Sequence, residues 1–476
     1  MQYSRIITTI AGPLIMLICW AFQPFGLDMA QSIVVGIVGW MLTWWISEAV
    51  PMAVTSLLPI ILFPLLGVLS LEKTCLSYSN RFVFLFLGGF IISLAMEKWN
   101  LHRRLALNIV NRTGTSADRI IFGFFLASYL ISMWISNTAT TLMMLPIAAS
   151  VVTLLVNEEH RKSHKGSKNF STTLMLSIAY GASIGGIATL VGSPPNASMA
   201  GILAKSFNYN VGFFEWMKLG LPFSLLLLVS AYFLLVKVIY PNKLGKFELG
   251  HEVIQSELSL LGRWSSPEKK VFVIFILTAV LWILQEPIAS FVRGNGVEIT
   301  DTSIGITMAC LLFILPSGNK KDERVLEWKD TEKLPWGVLL MFGGGMSLAE
   351  AFNSSGLVNR ITAEMTTVDQ SNMFLFVCML CAIGLVLTAL MSNIAMVNIF
   401  VPIVAALAVG SNISPVLFAI PVTIAASCDF MFPMSTPPNA IAYSSGYIHS
   451  RDMLRGGIVL NVLSLLILMI LIYLII

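Results

Sequence analysis

Four polar clusters lie inside stretches of sequence that are otherwise apolar. Ser136-Asn137-Thr138 stands midway through residues 120–156, and Ser392-Asn393 midway through residues 374–408; neither stretch holds an Asp, Glu, Lys or Arg. Ser193-Pro194-Pro195-Asn196 and Thr436-Pro437-Pro438-Asn439 interrupt two further apolar segments, 172–204 and 414–444. Proline carries no amide hydrogen and drives the preceding residue out of helical geometry, so a proline pair leaves backbone carbonyls free on one side of the break. Such carbonyls can bind a cation. A half-helix that starts at the break directs unpaired amides and its positive dipole end into the same space, which suits an anionic group. Ser and Asn side chains add neutral oxygens for a hard cation and donors for a carboxylate. The chemistry these residue types support is a cation and an anion held side by side.

The absence of fixed charge sharpens that reading. Residues 120–156, 172–204 and 374–408 are all uncharged. An arginine clamp would leave the empty site charged within a membrane, at a cost of at least about 3 kcal/mol. Neutral ligands let mobile cations neutralise an anionic solute and travel with it.

The elements that position these groups follow from length. A straight helix over residues 120–156 would extend roughly 55 Å at about 1.5 Å per residue, against a hydrocarbon core of about 30 Å. The segment must fold back at its polar centre, and 374–408 must do the same. Irregular backbone at membrane depth is tolerated only where protein or a water-filled cavity surrounds it, so two broken hairpins imply a solute path.

Composition agrees with a membrane solvent. Hydrophobic residues make up 56% of the chain and charged residues 11%, and the mean hydropathy is +0.83. These values exclude an ordinary soluble domain. The net charge of +4 is spread among short loops and forms no stripe that would serve nucleic acid. The first apolar run, about Ile6 to Phe22, has no small-residue cleavage pattern and reads as a transmembrane helix. The six cysteines fall mostly in apolar runs. Cys378-x-x-Cys381 has no second pair or histidine nearby in sequence, and reads as core packing.

Single helices are expected at 6–24, 30–47, 52–69, 82–97, 220–240, 271–291, 302–316, 335–352 and 454–476. The hairpins and interrupted segments lie between them. Basic residues flank the first hairpin on both sides, with Lys98, Arg103, Arg104, Arg112 and Arg119 in the loop before it and Arg161, Lys162, Lys165 and Lys168 in the loop after it. Arg360 is the sole basic residue near the second. The positive-inside rule therefore turns the two hairpins in opposite senses, with the N-terminus cytoplasmic and the C-terminus outside.

Three features recur in the same order. Phe86-Leu87-Gly88-Gly89, a Ser-Asn hairpin and a Pro-Pro-Asn segment in the first half match Met341-Phe342-Gly343-Gly344-Gly345, Ser-Asn and Pro-Pro-Asn in the second. The expected fold is an all-α polytopic membrane protein, an inverted repeat with about eleven transmembrane helices and two re-entrant hairpins. Residues 1–240 form the first half, 241–269 a cytoplasmic linker or surface helix, and 270–476 the inverted second half.

Asp429 is a carboxylate within the apolar part of the second interrupted segment, a position that marks function by default. It could tune cation binding, carry a proton, or hold a helix end. Glu48 reads as a helix-end residue, and the histidines lie mostly in loops. No nucleophile-base pair or metal cluster suggests an enzyme.

These motifs resemble those of the divalent anion/sodium symporter family. The resemblance is carried by Ser136-Asn137-Thr138, the run Gly185 to Asn196, Thr436-Pro437-Pro438-Asn439-Ala440, Ser47 to Thr55, and Glu97-Lys98-Trp99-Asn100-Leu101, and spans nearly the whole chain. It implies a homodimeric elevator-type carrier with scaffold and transport domains in the cell membrane. It also implies a first sodium site at Ser132, Ser136, Asn137 and Gly192, and a second at Thr388, the Met391 carbonyl, Asn393 and Ser435. A dicarboxylate would lie against Ser136, Asn137, Thr138, Ser392, Asn393, Thr436 and Pro437. The family's second motif often ends in threonine, whereas this chain has Ile394. The expected activity is sodium-coupled uptake of a C4 dicarboxylate such as succinate, malate or fumarate. An exchanger of di- or tricarboxylates on the same fold, an anion channel and a non-transporting receptor are the alternatives.

Overall fold

The computed structural model describes residues 2–159, 164–245, 250–292, 298–318, 323–365 and 373–475. Among these residues the regular structure is helical, with one isolated antiparallel bridge between Pro316 and Arg324. The first half begins with α1 (Gln2–Phe22), α2 (Met29–Ser47), α3 (Met52–Thr55), α4 (Leu58–Leu65), α5 (Leu71–Tyr78), α6 (Arg81–Lys98) and α7 (Leu101–Thr113). The first hairpin is α8 (Ala117–Ser132) with α9 (Asn137–Glu159). The first interrupted segment is α10 (His164–Ala188) with α11 (Pro194–Ser206), followed by α12 (Phe213–Phe233).

The second half carries α13 (Gly250–Leu260), α14 (Ser266–Ile283), α15 (Gln285–Val292), α16 (Asp301–Ile314), α17 (Trp336–Ser354) and α18 (Leu357–Met365). Its hairpin is α19 (Met373–Thr388) with α20 (Asn393–Gly410), and its interrupted segment α21 (Val416–Ala426) with α22 (Pro437–Ser444). The last helix is α23 (Ser450–Ile475). Each of the four predicted interruptions is thus a real break in the helix.

Several expected elements differ. The single helix at 52–69 is two short helices, because Pro59 cannot return an amide to Thr55 and the Ser56 hydroxyl bonds back to the Met52 carbonyl at 2.8 Å. The stretch 98–119, expected as a loop, contains α7. Its buried face of Leu101, Ala106, Leu107 and Val110 is amphipathic rather than membrane-long. Buried Arg104 on that helix pairs with Glu268 and donates to the Leu261 and Gly262 carbonyls at 3.0 Å each. Helix α7 therefore docks against the stretch 241–269, which contains α13. The helix expected at 271–291 bends by 68° between α14 and α15, and helices α5 and α18 had no counterpart in the expected spans.

Six helical stretches are long and apolar enough to cross a bilayer alone, and the bent pair α14 and α15 makes a seventh. Helices α9, α19 and α21 are apolar but too short to do so. The two halves interlock through these pieces: α11 packs on α20, while α22 packs on α9 and α10. Leu375, Met379, Ile383 and Val386 on α19 stay exposed at helical spacing, and Leu390 in the turn that follows is exposed too, an apolar stripe of the kind lipid covers. All six cysteines are free thiols.

Candidate functional site

At the first hairpin the chain leaves α8 at Ser132 and re-enters helix at Asn137. The Ser132 hydroxyl donates to Asn137 Oδ1 at 2.6 Å, which fixes the carboxamide at the tip. Ser136 caps α9 by accepting the Ala139 amide at 3.2 Å, an ordinary N-cap bond. Its own hydroxyl proton stays available. Thr138 occupies the first turn, half-buried.

The first interruption folds against this tip. Thr189 Oγ1 donates to the Met133 carbonyl at 2.5 Å and accepts the Gly192 amide at 3.0 Å. Gly192 thereby joins the tip indirectly. A Cβ there would lie 2.7 Å from the Gly186 oxygen and 3.1 Å from the Met133 oxygen, so backbone oxygens crowd the position and only glycine allows the approach. At Gly186 a Cβ would fall 2.4 Å from Asn137 Oδ1, and the missing side chain is the seat of the carboxamide.

The second hairpin repeats the arrangement. Thr388 Oγ1 lies 2.8 Å from Asn393 Oδ1 and 2.7 Å from the Ala426 carbonyl, bridging tip and interrupted segment. Ser392 caps α20 by accepting the Ala395 amide at 3.3 Å. The Met391 amide closes the α19 end on the Leu387 carbonyl at 3.2 Å, and Met391 is half-buried. Ile394 turns into the core at 8% exposure.

At the second interruption Thr436 Oγ1 accepts the Asn439 amide at 3.4 Å and Pro437 opens α22. Ser435 Oγ donates to the Phe432 carbonyl at 2.8 Å and accepts Asn439 Nδ2 at 3.4 Å, leaving one lone pair for a ligand. Among the described residues no hydrogen bond joins Ser435 to Asn393 or Thr388. In each predicted cluster one hydroxyl–carboxamide bond joins the hairpin residues; Gly192 is tied to the first tip through Thr189 and Met133, whereas the second tip reaches its interrupted segment at Ala426 and not at Ser435.

The prolines free carbonyls as expected, but some are already taken. Asn196 Nδ2 donates to the Gly186 and Thr189 oxygens at 2.9 Å each. Asn439 Nδ2 donates to the Asp429 oxygen at 3.2 Å and the Phe432 oxygen at 3.1 Å. The two asparagines span the same intervals, ten and seven residues back. They are staples of the breaks, which the motif contained without revealing their role. Asn398 is a further one: its Oδ1 accepts from Ser198 of α11 and its Nδ2 donates to the Met341 carbonyl at 3.0 Å, tying the two halves together.

Helices α9, α11, α20 and α22 all begin at a break, so four N-terminal dipole ends mark the site without one lysine or arginine among the tip residues. At the far end of α11, roughly 18 Å from Pro194 at about 1.5 Å per residue, a cavity of about 460 Å³ is lined by Lys73, Arg81, Lys205, Glu350 and Asn210.

Paired broken helices, presenting uncharged oxygens and helix N-termini within a polytopic bundle, one pair sealed and the other near the surface, define a helical membrane carrier. Residues 2–475 match the family described as the sodium:sulfate symporter transmembrane region. The chain belongs to that family, one of transporters rather than enzymes. It is 36% identical to the sodium-dependent dicarboxylate transporter SdcS of Staphylococcus saprophyticus over 477 residues, 99% of this chain and 91% of that protein. It is likewise 36% identical to SdcS of Staphylococcus aureus over 473 residues, with the same coverage. Among solved structures the fold is similar to that of the Alcanivorax borkumensis YdaH transporter, with a TM-score of 0.59 at 13% identity over 85% of this chain and 88% of that one. It is also similar to Neisseria gonorrhoeae MtrF, with a TM-score of 0.57 at 16% identity over 84% and 83% of the two chains.

Proposed function

We propose that this chain is a secondary active transporter that carries C4 dicarboxylates such as succinate, malate and fumarate into the cell together with sodium. The observation that carries the proposal is the repeated tip. Ser132 with Asn137, and Thr388 with Asn393, place one oriented carboxamide at each hairpin, beside a broken helix. Sodium binds at Ser132, Ser136, Asn137 and Gly192 in the first half, and at Thr388, Met391, Asn393 and Ser435 in the second. The dicarboxylate lies between them, against Ser136, Asn137, Thr138, Ser392, Asn393, Thr436 and Pro437. The relatives' sodium dependence and dicarboxylate use support this assignment, as does the lack of any fixed positive charge at the tips.

The mechanism is alternating access by an elevator movement. The hairpins and interrupted segments form the moving body, and the early helices of each half form the scaffold of a homodimer in the cell membrane. The topology has eleven spans, with the N-terminus cytoplasmic and the C-terminus outside. Support comes from the interlocking of the broken pieces across the halves and from the basic flanks of the first hairpin.

The test is uptake of labelled succinate into proteoliposomes with an inward sodium gradient and no internal substrate. Accumulation above equilibrium, abolished by collapsing the gradient, is the expected result. Uptake that requires internal dicarboxylate would establish an exchanger instead, and flux that neither saturates nor runs uphill would establish a channel.

A further inference from the structure

The two interruptions can be placed in register by their asparagine staples. Asn196 reaches Gly186 and Thr189, and Asn439 reaches Asp429 and Phe432 at the same intervals. Asp429 is therefore the counterpart of Gly186, and Ser435 the counterpart of Gly192. The first half has no side chain at either position, and its hairpin carboxamide fills the space. The second half has a carboxylate and a hydroxyl.

Asp429 is fully buried, at 0% exposure. Neither carboxylate oxygen has a hydrogen-bond partner. The groups facing it are the Ser435 hydroxyl, the Met431 amide, the Tyr180 hydroxyl and the Cys428 thiol, and no basic side chain is among them. Asn439, also at 0% exposure, leaves its Oδ1 without a partner in the same break. An ionised carboxylate buried without a counter-charge costs several kcal/mol, so Asp429 is either protonated or paired with a cation. Most side-chain donors around it are committed elsewhere: Asn439 Nδ2 to the Asp429 and Phe432 carbonyls and to Ser435 Oγ, the Ser435 hydroxyl to Phe432 and the Tyr180 hydroxyl to Phe430, which leaves the Met431 amide. The oxygens without a partner are both of Asp429 and Oδ1 of Asn439, the composition that binds a small hard cation.

We infer that Asp429 is an anionic ligand for a small monovalent cation in the second break, joined by Asn439 Oδ1 and the Ser435 hydroxyl oxygen. This rests on the proposed sodium-coupled function and adds a charged ligand that the first half lacks. The two halves then bind sodium unequally. The second break holds its ion in the absence of substrate, because the carboxylate supplies the counter-charge that the dicarboxylate supplies elsewhere.

The experiment is sodium binding to the purified full-length protein without substrate, followed by sodium titration of succinate uptake in proteoliposomes. The variants are Asp429→Asn, Asp429→Gly, which installs the first half's residue, Asn137→Ala and Asn393→Ala. Each is checked for folding by thermal unfolding and size exclusion. Both Asp429 variants are expected to lose the tighter substrate-independent sodium binding, and to raise the half-saturating sodium concentration by about tenfold. Asn137→Ala should leave the Asp429-dependent binding in place. If both Asp429 variants titrate as wild type while the asparagine variants shift, the carboxylate is no ligand and the inference falls alone. If none of the four shifts, the sodium sites themselves are misplaced. Should Asp429→Asn fail to fold, Asp429→Gly decides, because it carries the backbone freedom already tolerated at Gly186.

Discussion

Residues 189–196 and 432–439 make the same asparagine hydrogen bonds in different surroundings. In the first break Thr189, Leu190, Val191, Gly192 and Ser193 are all buried. In the second, Phe432 is 40% and Met434 90% exposed. The helix that follows also differs: Thr436 caps α22 with its side chain, whereas Ser193 makes no side-chain cap on α11. One repeat is sealed into the body of the protein and the other lies near its surface. Equivalent bonding can therefore carry unequal energetic weight, since an unmade hydrogen bond costs most where water cannot replace it.

Gly186→Ala should have the largest effect, because it forces a methyl group into the position of the Asn137 carboxamide. A displacement near 1 Å at a reacting or binding group is worth far more than the added volume, and sodium-driven uptake should fall by about tenfold or more. The comparison with Asp429 is sharpened by the reverse exchange, since the second half already tolerates a side chain there. Uptake by Gly186→Ala at wild-type rate, in protein of unchanged unfolding temperature, would show that the carboxamide is not held by that contact.

Asn196→Ala and Asn439→Ala compare the staples directly. Each leaves two backbone carbonyls without their donor, at about 1–3 kcal/mol per buried group. In the sealed first break the loss should approach about 4 kcal/mol, and in the second, where Asp429 is buried but Phe432 is 40% exposed, water should relieve one of the two carbonyls and lower the loss to about 2–3 kcal/mol. Denaturation in detergent reads the difference. Equal losses would mean that exposure at Met434 does not reach the stapled carbonyls.

Removing the tip hydroxyls is a milder perturbation. Ser132→Ala deletes one bond to Asn137, while Thr388→Ala deletes the contact with Asn393 and the bridge to Ala426. At about 1 kcal/mol per hydrogen bond, the half-saturating sodium concentration should rise about fivefold for Ser132→Ala and further for Thr388→Ala. A reversed order in the sodium titrations would break the assignment of Thr388 as the bridge of the second half.

Much of this arrangement was legible in the residues. Uncharged runs too long for one helix gave both hairpins, and the Ser-Asn and Pro-Pro-Asn motifs located all four breaks to within a few residues. The amphipathic helix α7 was hidden because its charged face resembles a cytoplasmic loop, and its buried Arg104 is satisfied by partners distant in sequence. The division of 52–69 depended on Ser56 turning back onto its own helix, a choice that hydropathy does not record. Thr189 lies within the run Gly185 to Asn196, but nothing in that run marks its hydroxyl as the link to Met133. The correspondence of Gly186 with Asp429 emerges only from the hydrogen bonds of Asn196 and Asn439, since the residues between share little beyond Pro-Pro-Asn.

The residue after each tip asparagine separates the halves once more, on the smallest scale. Thr138 is half-buried, whereas Ile394 is in the core. If the difference is one of packing, Ile394→Thr gains no ligand contact and loses buried apolar surface at about 25 cal/mol per Å², with a further cost for a hydroxyl placed where nothing accepts it. Competition of labelled succinate by citrate and sulfate should then shift less than about threefold, and the unfolding temperature should fall. Thr138→Val is nearly isosteric and removes a hydroxyl from the more accessible side, so it should weaken succinate uptake by about threefold to fivefold at unchanged stability. Should Ile394→Thr instead redirect selectivity while Thr138→Val leaves uptake unaltered, the second tip would be the one that reads the substrate.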